Sequence, residues 1–243
     1  MGGMAPSSQR RAYDTSVRLR PHLFVEHDRV VAERHPAAEE DVHFSRDLVA
    51  AVLEDLTRPG DRVLDPFAGF GTTLHVAEAM GRSAVGVELL PERCAAAAEA
   101  APGSVVVQGE ARHLSRLVEG PFDLVLTSPP YMARDDGPED PLSGYTGSSS
   151  YERYLAELRD ILAQCLELLT PDGHLVVNVA NIDSGARFTP LAWDVGRILN
   201  EVGRLIQDVF VCWDRPWHDL AGDYLLVARR VAPAADFRGL PME

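Results

Sequence analysis

The segment Asp65-Pro66-Phe67-Ala68-Gly69-Phe70-Gly71-Thr72-Thr73 constrains the fold more than any other stretch of this chain. It follows a short apolar run, Arg62-Val63-Leu64, and leads into Thr73-Leu74-His75-Val76-Ala77-Glu78-Ala79-Met80, whose composition and spacing are helical. The chain therefore reads strand, tight turn, helix. Glycines at 69 and 71 let the backbone approach a ligand closely, and the helix N-terminus presents unpaired N–H groups to an anion such as a carboxylate. Asp65, at the strand end, offers a carboxylate to an ammonium group. One ligand carrying both groups is an amino acid, and the methionine half of S-adenosylmethionine fits, with Pro66, Phe67, Ala68, Thr72 and Thr73 completing the candidate loop.

The next unit points the same way. Ser83-Ala84-Val85-Gly86-Val87 reads as a second buried strand closed by Glu88, roughly twenty residues after the glycine loop, where nucleotide-binding sheets carry an acid for ribose hydroxyls. A dinucleotide site is the rival reading. The loop continues Gly-x-Gly with Thr-Thr rather than with a third glycine at the expected spacing, which weakens a pyrophosphate turn. A third strand, Ser104-Val105-Val106-Val107, is followed by Gly109-Glu110-Ala111, where Glu110 is either a ligand for the adenine amino group or a surface acid.

A fourth strand, Phe122-Asp123-Leu124-Val125-Leu126, runs into Thr127-Ser128-Pro129-Pro130-Tyr131. A conjugated exocyclic amine is a poor nucleophile because its lone pair is delocalised into the ring. Two acceptors aimed at its hydrogens favour a pyramidal nitrogen and localise that pair. The Ser128 side chain and the Pro129 carbonyl suit this role, and Pro129 and Pro130 have fixed φ and no N–H. Tyr131 can stack on a base and orient it. With the methyl on a sulfonium, in-line displacement needs mainly positioning and electrostatics.

Together the two segments resemble the DNA amino-methyltransferases, which methylate N4 of cytosine or N6 of adenine. The family's cofactor loop is Asp-Pro-Phe-x-Gly-x-Gly-Thr-Thr, and its catalytic motif is Pro-Pro preceded by Asp, Asn or Ser and followed by Tyr or Phe. Serine in first place, as at Ser128, is the form met most often in the N4-cytosine enzymes. The resemblance covers most of the chain. His43-Phe44-Ser45-Arg46-Asp47-Leu48 resembles the family's cofactor-flanking helix, which brings Phe44 and Ser45 into the candidate cofactor set. Pro171 to Val179 is similar to its fifth strand, and Asp223 to Arg230 to its closing strand. The implied fold is α/β, a Rossmann-like class I methyltransferase with a mostly parallel sheet and an antiparallel edge hairpin formed by strands around Gln207 to Trp213 and Tyr224 to Arg229.

A chain of 243 residues can bury one substantial core. The economical division is an N-terminal arm over 1–34, a methyltransferase domain over 35–230 and a tail over 231–243. No run of about eighteen apolar residues and no charged-then-apolar N-terminus is present, so neither a membrane span nor a signal peptide is expected, and the expected location is cytoplasmic. Cys94, Cys165 and Cys212 are isolated, as in a reduced protein. None lies near Ser128, which argues against the cysteine-dependent attack that ring-carbon methylation of cytosine requires. The histidines are scattered, His35 and His218 among them, and no spacing suggests a metal.

Charge complicates the choice of acceptor. The net charge is −14, opposite to a dedicated DNA-binding surface, and all 23 basic residues are arginine. A local basic strip could include Arg10, Arg11, Arg18 and Arg20, or these could form a solvated arm. The long target-recognition segment usual in the family is not evident. The longest irregular stretch, Met132 to Ser150, is a candidate lid or substrate loop, with Tyr145 and Tyr151 available for stacking, or a mobile surface loop. Its acids Asp135, Asp136, Glu139 and Asp140 repel phosphate and suit a cationic or polar substrate. Trp213 and Trp217 are the other candidates for an acceptor pocket.

The expected function is S-adenosylmethionine-dependent transfer to an exocyclic amino nitrogen of a DNA base, N4 of cytosine ahead of N6 of adenine. One alternative is another planar nitrogen, in an RNA base, a glutamine amide or a small heteroaromatic metabolite. A second is a cofactor-binding subunit without catalysis. Oligomeric state and a separate recognition subunit stay open.

Overall fold

The computed structural model describes residues 18–38, 44–215 and 220–231. In chain order the strands are β1 (His22–Val25), β2 (Arg62–Asp65), β3 (Ser83–Glu88), β4 (Val105–Gln108), β5 (Phe122–Thr127), β6 (Leu169–Asp183), β7 (Phe188–Thr189), β8 (Arg204–Trp213) and β9 (Leu220–Arg229). The helices are α1 (His27–Glu33), α2 (Arg46–Leu56), α3 (Thr72–Ala79), α4 (Pro91–Ala100), α5 (Leu114–Leu117), α6 (Tyr151–Glu167) and α7 (Leu191–Val202).

These strands form one sheet in the order β4, β3, β2, β5, β6, β9, β8, β1, with the short β7 paired to β6. Only β9 and β7 run antiparallel to their neighbours; the other pairs are parallel. The chain steps outward from β2 through β3 to β4, then returns to the opposite side of β2 with β5. At such a reversal the loops leaving the two central strands diverge and open a crevice at their carboxyl ends. Asp65 ends β2 and Thr127 ends β5, so the glycine loop and the Ser-Pro-Pro-Tyr segment emerge on the two sides of that crevice.

Both sheet faces are covered, which is why the inner strands are apolar without alternation. On one face α1, α2 and α3 pack through Val30, Leu48, Val52, Leu53 and Leu74. On the other, α5, α6 and α7 pack through Leu114, Tyr154, Leu158, Ile161, Val195 and Leu199. Helix α6 carries its apolar residues at spacings of three and four, with Ser150 Oγ accepting from Arg153 N at its start.

Two expectations change here. The hairpin of β8 and β9 is antiparallel, but it is not the sheet edge: β9 is inserted between β6 and β8, and β1 pairs in parallel with the outer side of β8. The arm expected over 1–34 accordingly enters the packed unit from Leu19 onward. Leu19, Leu23, Val25 and Val30 are buried, Gln207 Nε2 donates to the Leu19 carbonyl at 2.9 Å, and Arg20 grips Asp55 on α2 at 2.8 and 2.9 Å. Arg20 is therefore engaged within the fold, whereas Arg10 and Arg11 lie outside the described residues. A four-residue strand buries two apolar side chains, too few to stand out as a pattern in an arginine-rich stretch.

Among the described residues, no helix is long and apolar enough to cross a membrane.

Candidate active site

The crevice holds a cavity of about 460 Å³ that reaches from Phe44 and the glycine loop to Trp213 and Asp223. Asp65, Pro66, Phe67, Ala68, Gly69, Thr72 and Thr73 line one end, together with Glu88. Ser128, Pro129, Pro130 and Tyr131 line the same cavity. Segments far apart in sequence thus share one cavity.

The Asp65 carboxylate is buried, and its Oδ1 accepts from Phe67 N at 3.0 Å and from Thr127 Oγ1 at 2.8 Å. Burial pushes its pKa up to about 6; the hydroxyls of Thr73 and Thr127 and the Phe67 N–H oppose the rise, and the Glu88 charge adds to it. The Thr73 hydroxyl acts on the carboxylate electrostatically, without the geometry of a full hydrogen bond. Glu88 is held from both sides: Oε2 accepts from Gly69 N at 2.8 Å and Oε1 from Leu90 N at 2.9 Å. These contacts fix the loop against the end of β3, as does Ala68 N donating to the Val87 carbonyl at 2.9 Å.

The two loop glycines have different reasons. Gly69 has φ +53°, and a Cβ there would meet nothing within 4 Å, so its bare backbone faces open cavity. Gly71 has φ +85°, and a Cβ there would lie 2.9 Å from the Ala97 Cα. Its smallness lets α4 pack against the start of α3, and it does not itself line the cavity.

These residues fit S-adenosylmethionine. A buried carboxylate facing a cavity at the end of β2 suits an ammonium, the open first turn of α3 suits a carboxylate, and the oriented Glu88 suits ribose hydroxyls. Gly109 and Ala111 reach the cavity wall, but the Glu110 side chain is bound by Arg112 and is not on it. Phe44 lines the cavity, whereas Ser45 is buried at the N-terminus of α2 and stands off it. Sequence reasoning missed Phe70, Leu90 and Arg93 at this end. Phe70 is stacked on His35, with ring centroids 4.5 Å apart, and the Arg93 guanidinium lies over the Phe70 ring at 5.4 Å.

At the other end Tyr131 is held by its surroundings. Its hydroxyl approaches the Asn178 carbonyl at 3.4 Å, and burial pushes its ionisation far above the usual range. Tyr154 on α6 donates to the Pro130 carbonyl at 2.9 Å, which fixes the two-proline turn from beneath. Asn178, Asp223 and Ile182 also line this end, on β6 and β9.

The stretch from Met132 to Ser150 is docked rather than detached. Pro141, Leu142, Gly144 and Tyr145 line the cavity, and Leu142 is buried. Arg112 pins the stretch: its guanidinium reaches Asp140 Oδ2 at 2.5 Å, Glu157 on α6 and Glu110 together. Asp136 accepts from Ala133 N at 2.5 Å and Asp135 from the Ser184 hydroxyl at 2.6 Å, so these acids shape the loop. Tyr145 has φ 63°, uncommon for a side-chain-bearing residue. Tyr151 does not reach this cavity. Its hydroxyl donates to Asp194 Oδ2 at 2.8 Å beside a neighbouring cleft of about 540 Å³ that Arg134, Arg187 and Arg197 also line. Trp213 lines the main cavity, and Trp217 lies outside the described residues.

Sheet order, the reversal beside β2 and the loop between Asp65 and Thr73 define a class I fold of the S-adenosylmethionine-dependent methyltransferases. Solved structures with this fold include a putative rRNA-methylase from Clostridium thermocellum, with 14% identity, a TM-score of 0.55, and 78% of this chain and 99% of that one covered. Another is a methyltransferase from Pyrococcus furiosus, with 15% identity, a TM-score of 0.55 and 80% and 86% coverage. A third is magnesium protoporphyrin IX methyltransferase from Synechocystis with bound SAH, with 15% identity, a TM-score of 0.52 and 76% and 80% coverage.

Within that class, residues 23–99 match the family model described as DNA methylase. The type II methyltransferase M.BglII of Bacillus subtilis is 37% identical over 62 residues, which span 24% of this chain and 17% of that enzyme. Both matches are likenesses over part of this chain, and the chain spans under a fifth of the length of M.BglII.

Proposed function

We propose that the protein transfers a methyl group from S-adenosylmethionine to an exocyclic amino nitrogen of a DNA base, N4 of cytosine ahead of N6 of adenine. The observation that carries this reading is the shared cavity: Ser128, Pro129 and Tyr131 line the space that Asp65, Gly69 and Glu88 also line. Asp65, Gly69, the start of α3 and Glu88 hold the cofactor, which supplies an activated methyl on a sulfonium. Ser128 and the Pro129 carbonyl accept from the amino hydrogens and localise the nitrogen lone pair, while Tyr131 orients the ring. A base in a duplex must leave the stack to reach them. Serine in first place of the motif favours cytosine.

A second reading, transfer to a planar nitrogen in RNA, a glutamine amide or a small heteroaromatic, is favoured by the exposed acids Asp135, Asp136 and Glu139 of the 132–150 stretch, of which Asp136 lines the cavity. Like charges there oppose a phosphate backbone. Labelled S-adenosylmethionine presented to DNA, RNA, protein and small-molecule acceptors in competition separates the readings by where the label appears. Ser128→Ala and Tyr131→Ala should each abolish transfer with cofactor affinity retained in calorimetry. Transfer undiminished in both variants rejects the catalytic assignment.

A further inference from the structure

Asp223 is a carboxylate where the sheet would be expected to carry an apolar side chain. It lies on β9, flanked in register by Ala180 on β6 and Val211 on β8, and it is 5% exposed. Leaving a charge in such a place costs several kcal/mol of desolvation unless donors meet it. Two do. Asn178 Nδ2 donates to Oδ1 at 2.6 Å and Trp213 Nε1 donates to Oδ2 at 3.1 Å, while the nearby Tyr224 N–H favours the charged form electrostatically.

The arrangement opens on the acceptor end of the cavity. Thr127 on β5 stands opposite Val177 on β6, so Ser128 leaves the sheet beside Asn178, the residue that holds Asp223. Asp223, Asn178 and Trp213 line the cavity together with Ser128 and Tyr131, and the Tyr131 phenol feels the Asp223 charge. The neighbours supplied by β6 and β8 are neutral donors, and Tyr131 is the titratable group facing it among the described residues.

Methyl transfer to an amino group releases a proton that the Ser128 hydroxyl and the Pro129 carbonyl are too weakly basic to keep. We propose that Asp223 takes up this proton and is a catalytic residue of the reaction; the inference rests on the methyl-transfer reading above. The nitrogen lone pair forms the new N–C bond as the C–S bond breaks with its electron pair remaining on sulfur. The cationic nitrogen then loses one N–H proton to the Asp223 carboxylate, and its electron pair returns to the ring system. The carboxyl group releases the proton to water when the product leaves. Burial lifts the Asp223 pKa to about 7, against the pull of Trp213, Asn178 and the Tyr224 N–H, which gives a base matched to neutral pH. Asp65 and Glu88 belong to the cofactor end, and Asp136, exposed at the loop, already accepts from Ala133 N.

The test has two readouts. In single-turnover transfer of labelled methyl to a single-stranded oligonucleotide, the wild-type rate should rise with pH through about 7. Asp223→Asn should lose that titration and fall by roughly 10²-fold or more, with cofactor affinity retained. Without substrate, tryptophan emission should titrate over the same range through the Trp213 contact, and Asp223→Asn should abolish the change. Trp213→Phe removes one donor to the charged form and should move the rate midpoint upward by roughly one pH unit, a reading that survives if Asp223→Asn does not fold. A wild-type rate and profile in Asp223→Asn, an unmoved midpoint in Trp213→Phe, or loss of the titration in Asp136→Asn instead would overturn the assignment. If the wild-type protein transfers methyl to no acceptor, the methyl-transfer reading itself has failed, and this inference falls with it.

Discussion

Thr127 Oγ1 donates to Asp65 Oδ1 at 2.8 Å, joining the last residue of β5 to the last residue of β2 across the point where the sheet reverses direction. Thr127 precedes Ser128 and Asp65 precedes the glycine loop, so one buried bond sets the spacing of the two motifs. Thr127→Val keeps the shape and deletes the donor. A hydrogen bond to a charged group contributes roughly 1.5–3 kcal/mol, so S-adenosylmethionine affinity should drop about tenfold or more. Calorimetry reads this directly, and an unchanged dissociation constant would show that the contact does not act on the cofactor.

Cofactor affinity should depend on pH through the same carboxylate. With the Asp65 pKa pushed up to about 6, its carboxylate form, which attracts an ammonium, is lost as pH falls below that value. Binding should therefore tighten between pH 5 and pH 7 and level off above. Asp65→Asn should bind weakly and show no such rise.

Folding stability should run the other way in the free protein. Asp65 and Asp223 have folded-state pKa values of about 6 and about 7, above the ordinary aspartate value of 3.8. For carboxyls raised in this direction, the stabilising contribution is complete below about pH 4 and disappears as pH rises through 6 and 7. The contribution is on the order of 3 kcal/mol for Asp65 and 4 kcal/mol for Asp223. Asp223→Asn should flatten the decline in melting temperature between pH 5 and pH 8. An equally steep decline in the variant would mean that Asp223 does not titrate there.

Packing around the glycine loop predicts a graded pair of effects. A Cβ at Gly86 would lie 2.8 Å from the Ala68 Cβ and 2.9 Å from a Leu74 methyl, forcing β3 away from the loop. Gly71→Ala adds an unfavourable positive φ to a contact with the Ala97 backbone, which has less freedom to yield. Both should destabilise by about 1–3 kcal/mol, Gly71→Ala the more, and both should weaken cofactor binding. Denaturant unfolding with parallel calorimetry measures the two losses.

Arg112 gathers Glu110, Asp140 and Glu157; its pairing holds the Asp140 carboxyl below the usual range against the opposing pull of burial, and Arg153 together with Arg112 does the same for Glu157. Arg112→Ala would leave three acids facing one another and release the stretch around Pro141 and Leu142 from the cavity. Protease cleavage between residues 132 and 150 should accelerate, and the acceptor KM should rise. Restoration of protection by Asp140→Asn in the same chain would trace the effect to that pair.

What could be read from the chain was local. Strand, turn, helix and the Ser-Pro-Pro-Tyr turn each declare themselves within a dozen residues, because backbone demands on glycine and proline are met by the residue itself. Glu110 and Tyr151 were legible as residue types but not as orientations: the Glu110 carboxylate turns to Arg112, itself held by Asp140 and Glu157 from elsewhere in the chain, and the Tyr151 hydroxyl turns to the distant Asp194. Ser45 likewise sits beside the cavity-lining Phe44 while being buried off the wall. Asn178 and Asp223 carried no signal, since an isolated polar residue in an apolar strand has no motif.

The sequence by itself determined the alternation of strands and helices, the loop that suits an amino-acid cofactor and the turn that suits a planar amine. Only the tertiary structure decided that the two loops line one cavity, that β1 covers the hairpin, and that Asp223 lines that cavity with Ser128 and Tyr131. The reason is physical: local motifs encode backbone geometry, whereas proximity, burial and the pKa of a carboxylate are set by side chains that arrive from elsewhere in the sheet.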